Sequence, residues 1–455
     1  MTEKYTKKLL KLYESLLYSK RTDISLLFTD KPYLNFVDEL IKFKDFSDIY
    51  NWEIAHYVIS KHCLKYKNEK IKKNRNDLLL KLIRDLKRNF SKFRKLHLII
   101  VPLPSLSLNS LISFKNITFI PSNFTLDQKL ETIKNLSEST NENVLFFANH
   151  TSKTRSPDFF EYSLMCIQYI DYNEFMRLRV DEVVKVYVYL LRSLYFSEIL
   201  EHNINDYKIN LFVQPVTQKY LKKNSHVAIF GKTNEVQFHK VLSFSTKCYF
   251  NIDWLENPIY QRKYLNLIKK YSEVNNDFEQ LFLNSLIILN KAYDQKMLNE
   301  HSLCLLLLMT SLENLLALNK NEKRLRIATL APKLVSIKKS KMSRFSLVLS
   351  HMYLQRNNFV HSGKEVNFYN NISDRLESPF EKYLLPSFII ASKLIVSFPK
   401  HINKLRKLSF GKNFYKEWEK YLDDMFSKAL FGASKLEPTK KKIESIDSYL
   451  DSLFK

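Results

Sequence analysis

Glycine is the residue that this chain lacks most clearly, with only 4 among 455 residues. Phosphate-binding loops need several glycines close together, because glycine alone adopts the required backbone angles without a steric penalty and lets the backbone approach a phosphate. Neither a P-loop pattern nor a dinucleotide-binding fingerprint occurs in the sequence. Enzymes that depend on such loops are therefore excluded, and we expect no cofactor.

Cysteine is equally scarce. The four cysteines lie far apart and form no CxxC pair: Cys63, Cys166, Cys248 and Cys304. Zinc sites and disulfide frameworks need cysteines at short or regular spacings, so neither is expected. Isolated cysteines of this kind are typical of reduced thiols in the cytoplasm.

Long hydrophobic runs are absent too. The longest pure apolar run covers residues 303–309 (LCLLLLM), against the ~18–20 residues that a membrane-spanning helix needs. The first residues, MTEKYTKKLLKLYESLL, have the pattern of an amphipathic charged helix and not of a signal peptide. These features predict a soluble cytoplasmic protein without a membrane partner.

Charge of one sign dominates the chain. The 72 Lys and Arg outnumber the 47 Asp and Glu, which gives a formal net charge of +25. Such a charge attracts polyanions, so RNA, DNA or an anionic membrane surface is a candidate partner. A coding bias towards Lys, Asn and Ile codons explains the same composition equally well, and charge alone does not choose between the two.

The charge is concentrated near the N-terminus. Residues 65–95 contain 13 Lys and Arg and 3 acidic residues, so this stretch carries +10 of the total (13 − 3). Apolar residues from Leu79 to Phe93 follow helical spacing, and basic residues occupy the other side. That side either contacts a nucleic-acid backbone or is an ordinary solvated surface. The candidate RNA-binding residues are Lys81, Arg84, Lys87 and Arg88.

The pattern along the chain predicts an α+β protein in two parts. Residues 1–252 form a mixed helical and strand region, which is mainly helical over 1–95 and contains strands over 96–252. Residues 253–455 form an all-helical domain that ends in a charged helical tail. Short β-branched and aromatic runs predict strands at 97–102, 117–121, 144–148, 209–213, 226–230 and 248–252. A capping box at 125–128 and a pattern at 181–200 predict two helices between them.

One histidine follows a predicted strand. His150 comes after the run at 144–148, and Lys153, Arg155 and Asp158 follow it. Polar residues after a strand are typical of binding sites. No second metal ligand lies at a suitable spacing, however, so the pattern favours an ordinary loop.

The C-terminal part contains a helix that is apolar nearly all round, at 299–317. Glu313 lies within it, and a buried carboxylate needs a cationic or hydrogen-bonding partner. Arg324, Arg326 and Arg356 are the candidate partners. Further helices are predicted at 322–335, 343–360 and 380–396.

The motif that organises the C-terminal part is Tyr353-x-x-Arg356-Asn-Asn-x-Val-His361-x-Gly363. With the upstream Ser311-Leu-Glu313-Asn-Leu-Leu and the segment Arg326-Ile-Ala-Thr-Leu-Ala-Pro-Lys-Leu334, it resembles the HEPN superfamily, in particular its Apea-like branch. The resemblance covers about residues 300–395. The family pattern tends to have glycine directly after the histidine, and Ser362 stands there in this chain.

The resemblance implies an all-helical domain that forms a homodimer, in which two Arg–His motifs meet at a shared cleft. It implies a metal-independent endoribonuclease of a bacterial antiphage or abortive-infection system, acting as a toxin. The N-terminal region, residues 1–252, would then be a sensor of a phage or host trigger, or would recognise the target.

The chemistry of RNA cleavage assigns a role to each residue of the motif. His361 transfers a proton near neutral pH, and the always-charged Arg356 binds the phosphate. Residues five apart are separated by about 140° around a helix, whereas Asn357 and His361, four apart, share a face. Asn357 is therefore expected to hydrogen-bond and orient His361, or else to position the scissile group.

Two alternatives remain open. Arg356 could pair with Glu313 inside the helical bundle while His361 only caps a helix, in which case the motif is structural. Glu313 fits the catalytic account as well, as a supporting residue that orients Arg356. The domain could also be a non-catalytic HEPN module that binds RNA or a partner protein. Tyr353, one turn before Asn357, is interpreted as a packing residue.

Overall fold

A computed structural model describes residues 10–14, 31–41, 59, 62, 75–93, 95–154, 158–171, 173–199, 226–231, 236–240, 248, 250–272, 274, 276–298, 300–318, 321–335, 339–363, 379–409 and 413–431. Helices predominate, and a small antiparallel sheet lies in the N-terminal part. The predicted strand at 209–213 and the end of the predicted charged tail lie outside these residues.

The α-helices of the described residues are numbered in chain order. Their bounds are α1 Lys31–Ile41, α2 Arg75–Phe93, α3 Leu126–Ser137, α4 Asn141–Thr154, α5 Asn173–Leu194, α6 Pro258–Ser272, α7 Asp277–Met297, α8 His301–Leu316, α9 Lys323–Leu334, α10 Lys339–Ser362, α11 Pro379–Val396, α12 Phe398–Ser409 and α13 Phe414–Phe431. A π-helical turn, Tyr195–Ile199, continues α5, and two 3-10 helices span Phe159–Glu161 and Asp253–Glu256.

The strands form one six-stranded sheet in the order β2-β3-β4-β1-β5-β6, and every neighbouring pair is antiparallel. Their bounds are β1 Lys95–Leu103, β2 Ile112–Phe114, β3 Ile117–Ile120, β4 Ser163–Asp171, β5 His226–Gly231 and β6 Val236–Lys240. In the central strand, Ile99 pairs with Ile167 of β4 and with Ile229 of β5.

The sheet is covered on both faces. Leu98 and Ile100 of β1 belong to a core cluster with residues of α3 and α4, such as Ile133 and Phe147. Ile99 belongs instead to the larger cluster that includes α5 and the C-terminal helices. This alternation follows from the period-two geometry of a strand, and it makes the N-terminal part a three-layer arrangement.

The larger core runs without a break across the predicted boundary at 252/253. It contains β-strand residues such as Val101 and also helical residues as far along the chain as Leu422. Two polar contacts join the same parts: Tyr264 of α6 donates a hydrogen bond to the carbonyl of Tyr187 (2.8 Å). Likewise, the buried Arg192 of α5 pairs with Asp294 of α7 (3.1 Å). The sheet and the helical bundle therefore share one hydrophobic interior.

Three of the predicted strands, at 97–102, 117–121 and 226–230, are confirmed as β1, β3 and β5. The capping box is confirmed as well, since Thr125 accepts a hydrogen bond from the Gln128 backbone and its own N–H donates to the Gln128 side chain. The predicted helix at 181–200 is the longer α5 with its π-helical turn.

The predicted strand at 144–148 is wrong, because these residues lie in α4. Val144, Phe147 and Ala148 are buried, whereas Leu145 and Phe146 are exposed. Burial at positions i, i+3 and i+4 is helical spacing, and a run of five apolar residues hides it. The predicted strand at 248–252 is not found either, since its described residues form an isolated bridge, between Asn251 and Ser107, and no strand.

In the C-terminal part, the predicted helices at 299–317, 322–335, 343–360 and 380–396 correspond to α8, α9, α10 and α11. None of the helices among the described residues combines the length and the apolar composition that crossing a membrane requires.

Candidate functional site

The Arg–His motif lies at the C-terminal end of α10. Val348, Leu349 and Met352 are buried and hold this helix against its neighbours. Val360, nearer the end of the helix, is 47% exposed. Gly363 ends the helix with φ +64°, and its N–H donates to the carbonyl of Phe359 (3.1 Å). A glycine in this left-handed conformation is a common helix stop.

Glu313 of α8 is the centre of the site and is 12% exposed. Its Oε1 accepts a hydrogen bond from the Tyr353 hydroxyl (2.6 Å) and lies 3.3 Å from Nη2 of Arg356. Its Oε2 lies 3.6 Å from Nζ of Lys323, at the start of α9. Three donors from two other helices therefore surround this carboxylate. Arg326, a second predicted partner, pairs with Asp423 of α13 instead (2.7 Å).

Arg356 is held on several sides and is only 16% exposed. Besides its ion pair with Glu313, its Nη1 donates to Oδ1 of Asn357 (2.9 Å). The guanidinium carbon lies 5.5 Å from the centre of the Tyr353 ring, in the range of a cation–π contact. Its Nε is buried and makes no hydrogen bond to the described residues. A guanidinium fixed in this way is oriented before any ligand arrives.

Asn357 does not have the predicted partner. Its carbonyl oxygen accepts from Arg356, and no hydrogen bond joins it to His361. Asn357 and His361 do lie on the same side of the helix. The side chain of Asn357 is short, however, and the nearest strong donor to it is the guanidinium of the adjacent Arg356. In this structure Asn357 therefore orients Arg356.

His361 lies in the last turn of α10 and is exposed, as are Asn358 and Val360. The His361 side chain makes no hydrogen bond or ion pair to the described residues. Arg356 and His361 thus occupy different surroundings, one enclosed among α8, α9 and α10 and one facing solvent. The angle of about 140° between positions five apart accounts for this separation.

Tyr353 is the participant that the sequence interpretation missed. It does pack in the core, as expected, but its hydroxyl and its ring also contact both members of the ion pair. Burial raises the pKa of Tyr353 well above its usual range, and the neighbouring Glu313 raises it further. The signal in the sequence was its position three residues before Arg356, which places both on one face of the helix.

The basic helix α2 presents the predicted residues to solvent on one side. Lys81, Arg84 and Arg88 are exposed, whereas Leu82 and Leu86 are buried. The side chain of Lys87 lies outside the described residues. The described side chains of Lys81, Arg84 and Arg88 thus form a basic surface on α2.

His150 lies in α4 and not after a strand, because the predicted strand before it is helical. Its ring stacks on that of Phe146, with 5.8 Å between centroids. An i,i+4 ring pair is the ordinary packing of two side chains on one helix face. Among the described residues, no three His, Cys, Asp or Glu side chains form a group that could hold a metal ion.

Comparisons with protein-family models, with curated proteins and with solved structures find no match to this chain. The site is therefore interpreted from its own geometry and from the sequence pattern.

Proposed function

We propose that this protein is a metal-independent endoribonuclease of the HEPN type, with Arg356 and His361 as its catalytic residues. The observation that carries the proposal is the fixed Arg356 guanidinium, held by Glu313 and Asn357 five residues before an exposed histidine. A structural ion pair alone does not require the histidine, whereas phosphoryl-transfer chemistry uses both groups.

The reaction that these groups suit is internal transesterification of RNA. His361 takes the proton of the ribose 2′-hydroxyl, whose oxygen then attacks the adjacent phosphorus. The bond between phosphorus and the 5′-oxygen breaks, and that oxygen receives a proton. Arg356 donates hydrogen bonds to the non-bridging oxygens, on which negative charge accumulates. The products are a 2′,3′-cyclic phosphate and a 5′-hydroxyl.

This chemistry needs a base and an acid in one turnover, and one chain supplies a single motif histidine. We therefore include a homodimer in the proposal, in which two copies of the end of α10 face one another. The exposure of Asn358, Val360 and His361 leaves that end free to meet a second copy.

The biological role proposed with this activity is a cytoplasmic antiphage or abortive-infection toxin. Residues 1–252 would sense a phage or host trigger or select the RNA. The core that the sheet shares with the C-terminal helices supports this assignment, because a change at the sheet has a packed route to α10.

The test is to sequence RNA ends after expression of the wild type, of His361→Ala and of Arg356→Ala. We expect new ends with cyclic phosphates in the wild type alone, together with growth arrest. His150→Ala is the matched control, since it removes a histidine from α4 without touching the motif. Cleavage and toxicity that persist in His361→Ala refute the assignment.

The exposed basic face of α2 favours a second function, non-catalytic binding of RNA or a partner protein by a HEPN module. Replacing Lys81, Arg84, Lys87 and Arg88 together by Gln should then weaken binding of single-stranded RNA and lower the slope of log K against log salt by up to about 3, at ~0.7 per lost phosphate contact. Intact RNA after incubation, together with such salt-dependent binding, would favour this function over cleavage. Binding that does not respond to salt excludes it.

A further inference from the structure

We propose that Tyr353 is a positioning residue, whose hydroxyl fixes the Glu313 carboxylate and thereby sets the Arg356 guanidinium for the phosphate. The inference rests on the proposed function for its catalytic consequence, although its structural part can be measured without any cleavage assay. Tyr353 has no role in the motif as the sequence presents it, apart from packing.

The geometry gives Tyr353 contacts with both members of the pair. Its hydroxyl donates to Oε1 of Glu313 at 2.6 Å, the shortest of the three polar contacts to that carboxylate. Its ring lies beside the guanidinium of Arg356 at 5.5 Å. The Tyr353 hydroxyl therefore fixes the Glu313 carboxylate, and the face of the same ring limits the movement of the Arg356 guanidinium.

Neither of the other donors can replace the hydroxyl in this role. Arg356 is the group to be positioned, and its Nη2 is 3.3 Å from the same oxygen. Lys323 is 41% exposed and 3.6 Å from the other oxygen, so water competes for its ammonium and its long chain is free to move. The Tyr353 hydroxyl is carried by a rigid, buried ring, and only two rotatable bonds join this ring to the backbone. Tyr353 is therefore the donor with the most fixed position among the three.

The hydroxyl also remains a donor across the useful pH range. Burial raises the pKa of Tyr353 above its usual range, and the hydrogen bond to Glu313 raises it further. The phenol therefore stays protonated at neutral pH. A phenolate beside Glu313 would repel the carboxylate and release the ion pair. The Tyr353 hydroxyl thus remains a hydrogen-bond donor around neutral pH.

The first experiment measures the position of Arg356 directly. Phenylglyoxal modifies arginine, and peptide mass spectrometry gives the rate at Arg356 in the whole chain. In Tyr353→Phe the ring remains but the carboxylate loses its fixed donor, and we expect modification of Arg356 to be severalfold faster. An unchanged or slower rate overturns the inference, whatever the protein does to RNA.

The matched control is Tyr271→Phe. Tyr271 is also buried and its hydroxyl also donates to an acceptor in another helix, the carbonyl of Ile395 (2.9 Å). Tyr271→Phe removes a buried tyrosine hydrogen bond, here to a neutral carbonyl, away from the Arg–His motif. We expect Arg356 in this variant to be modified at the wild-type rate. If both variants accelerate modification equally, Tyr353 has only a structural role and the inference fails.

The second experiment measures RNA cleavage by the folded fraction of each variant. A charge-assisted hydrogen bond corresponds to roughly a tenfold effect, so we expect Tyr353→Phe to lower kcat about tenfold with little change in KM. Tyr271→Phe should retain the wild-type kcat. A Tyr353→Phe enzyme with wild-type kcat contradicts the inference, whereas cleavage that survives in His361→Ala contradicts the proposed function.

Glu313→Gln tests whether the effect of Tyr353 passes through the carboxylate. In this background the hydroxyl has no charged acceptor, so adding Tyr353→Phe should change Arg356 modification and kcat less than it does in the wild type. Equal effects in both backgrounds would mean that Tyr353 acts by another route. The Gln variant alone also covers the case in which Tyr353→Phe does not fold, since it too should speed modification of Arg356.

Discussion

The contacts of Glu313, the carboxylate at the centre of the site, allow a prediction about how much each member of the ion pair contributes to the free energy of unfolding. Removing Glu313 should destabilise the protein more than removing Arg356. The reason is that Glu313 has three partners, Arg356, Tyr353 and Lys323, whereas Arg356 shares its carboxylate with two other donors.

The magnitudes follow from what each truncation leaves behind. Glu313→Ala leaves the cation of Arg356, which is 16% exposed, without its counter-ion, and it removes the acceptor of the Tyr353 hydroxyl. Breaking a buried pair in this way costs about 3–5 kcal/mol. Arg356→Ala leaves Glu313 with the tyrosine hydroxyl and Lys323, so we expect a loss of about 1–2 kcal/mol. The pair Glu313→Ala with Arg356→Ala should lose less than the sum of the single variants.

Urea denaturation followed by circular dichroism measures these three free energies of unfolding. A slope that is the same in all variants shows that the unfolded states are comparable. The reasoning is refuted if Arg356→Ala destabilises the protein as much as Glu313→Ala, or if the double variant loses the full sum. Either result would mean that Glu313 does not organise the three donors.

Three further variants test features around this site and the sheet. Gly363→Ala places a Cβ on a residue with φ +64°, so urea melts should show a loss of about 1–2 kcal/mol, and cleavage should fall because this turn ends the helix that carries His361. Burial lowers the pKa of His301 to about 4, below the ordinary 6.5, so its contribution to stability is complete above pH 6.5 and is lost as the pH falls towards 4. Urea midpoints measured across that interval should fall less in His301→Gln than in the wild type, and identical profiles would contradict this. Lys129 is fully buried and donates to the carbonyls of Ser122, Phe160 and Tyr162. Lys129→Met should therefore lower the free energy of unfolding by about 3 kcal/mol. A change below about 1 kcal/mol would mean that water satisfies those carbonyls in the variant.

The sheet contains a strand that hydrophobic periodicity in the sequence does not predict. β4 was not predicted, although it pairs with both β1 and β3. Its residues from Ser163 to Ile167 are all buried, because helices cover both faces of the sheet there, and a strand buried on both faces shows no alternation. The error at 144–148 has the same origin, since an apolar run carries no period of its own. Boundaries and strand order depend on partners far along the chain.

The site shows a different limit. Arg356 was one of three candidate partners for Glu313, and the structure pairs the two (3.3 Å), because a buried carboxylate needs a cation or a donor nearby. The Glu313–Tyr353 hydrogen bond depends on how α8 crosses α10, and no local spacing encodes that. Helix periodicity gave the face on which Asn357 lies but not its partner, because two acceptable donors compete for one short side chain.

The charge of the cluster separates the two ways in which Glu313 can influence RNA cleavage. Lys323 and Arg356 against one carboxylate give a local charge of +1, and Glu313→Ala raises it to +2. If attraction of the phosphate limits the reaction, this variant should bind RNA more tightly and cleave at least as fast as the wild type. If the orientation of Arg356 limits it, binding should rise or stay the same while kcat falls, because the extra charge acts at a guanidinium that no longer has a fixed position. The buried hydroxyl of Tyr353 on the same carboxylate oxygen makes orientation the expected limit, and a Glu313→Ala enzyme with increased kcat would reject it.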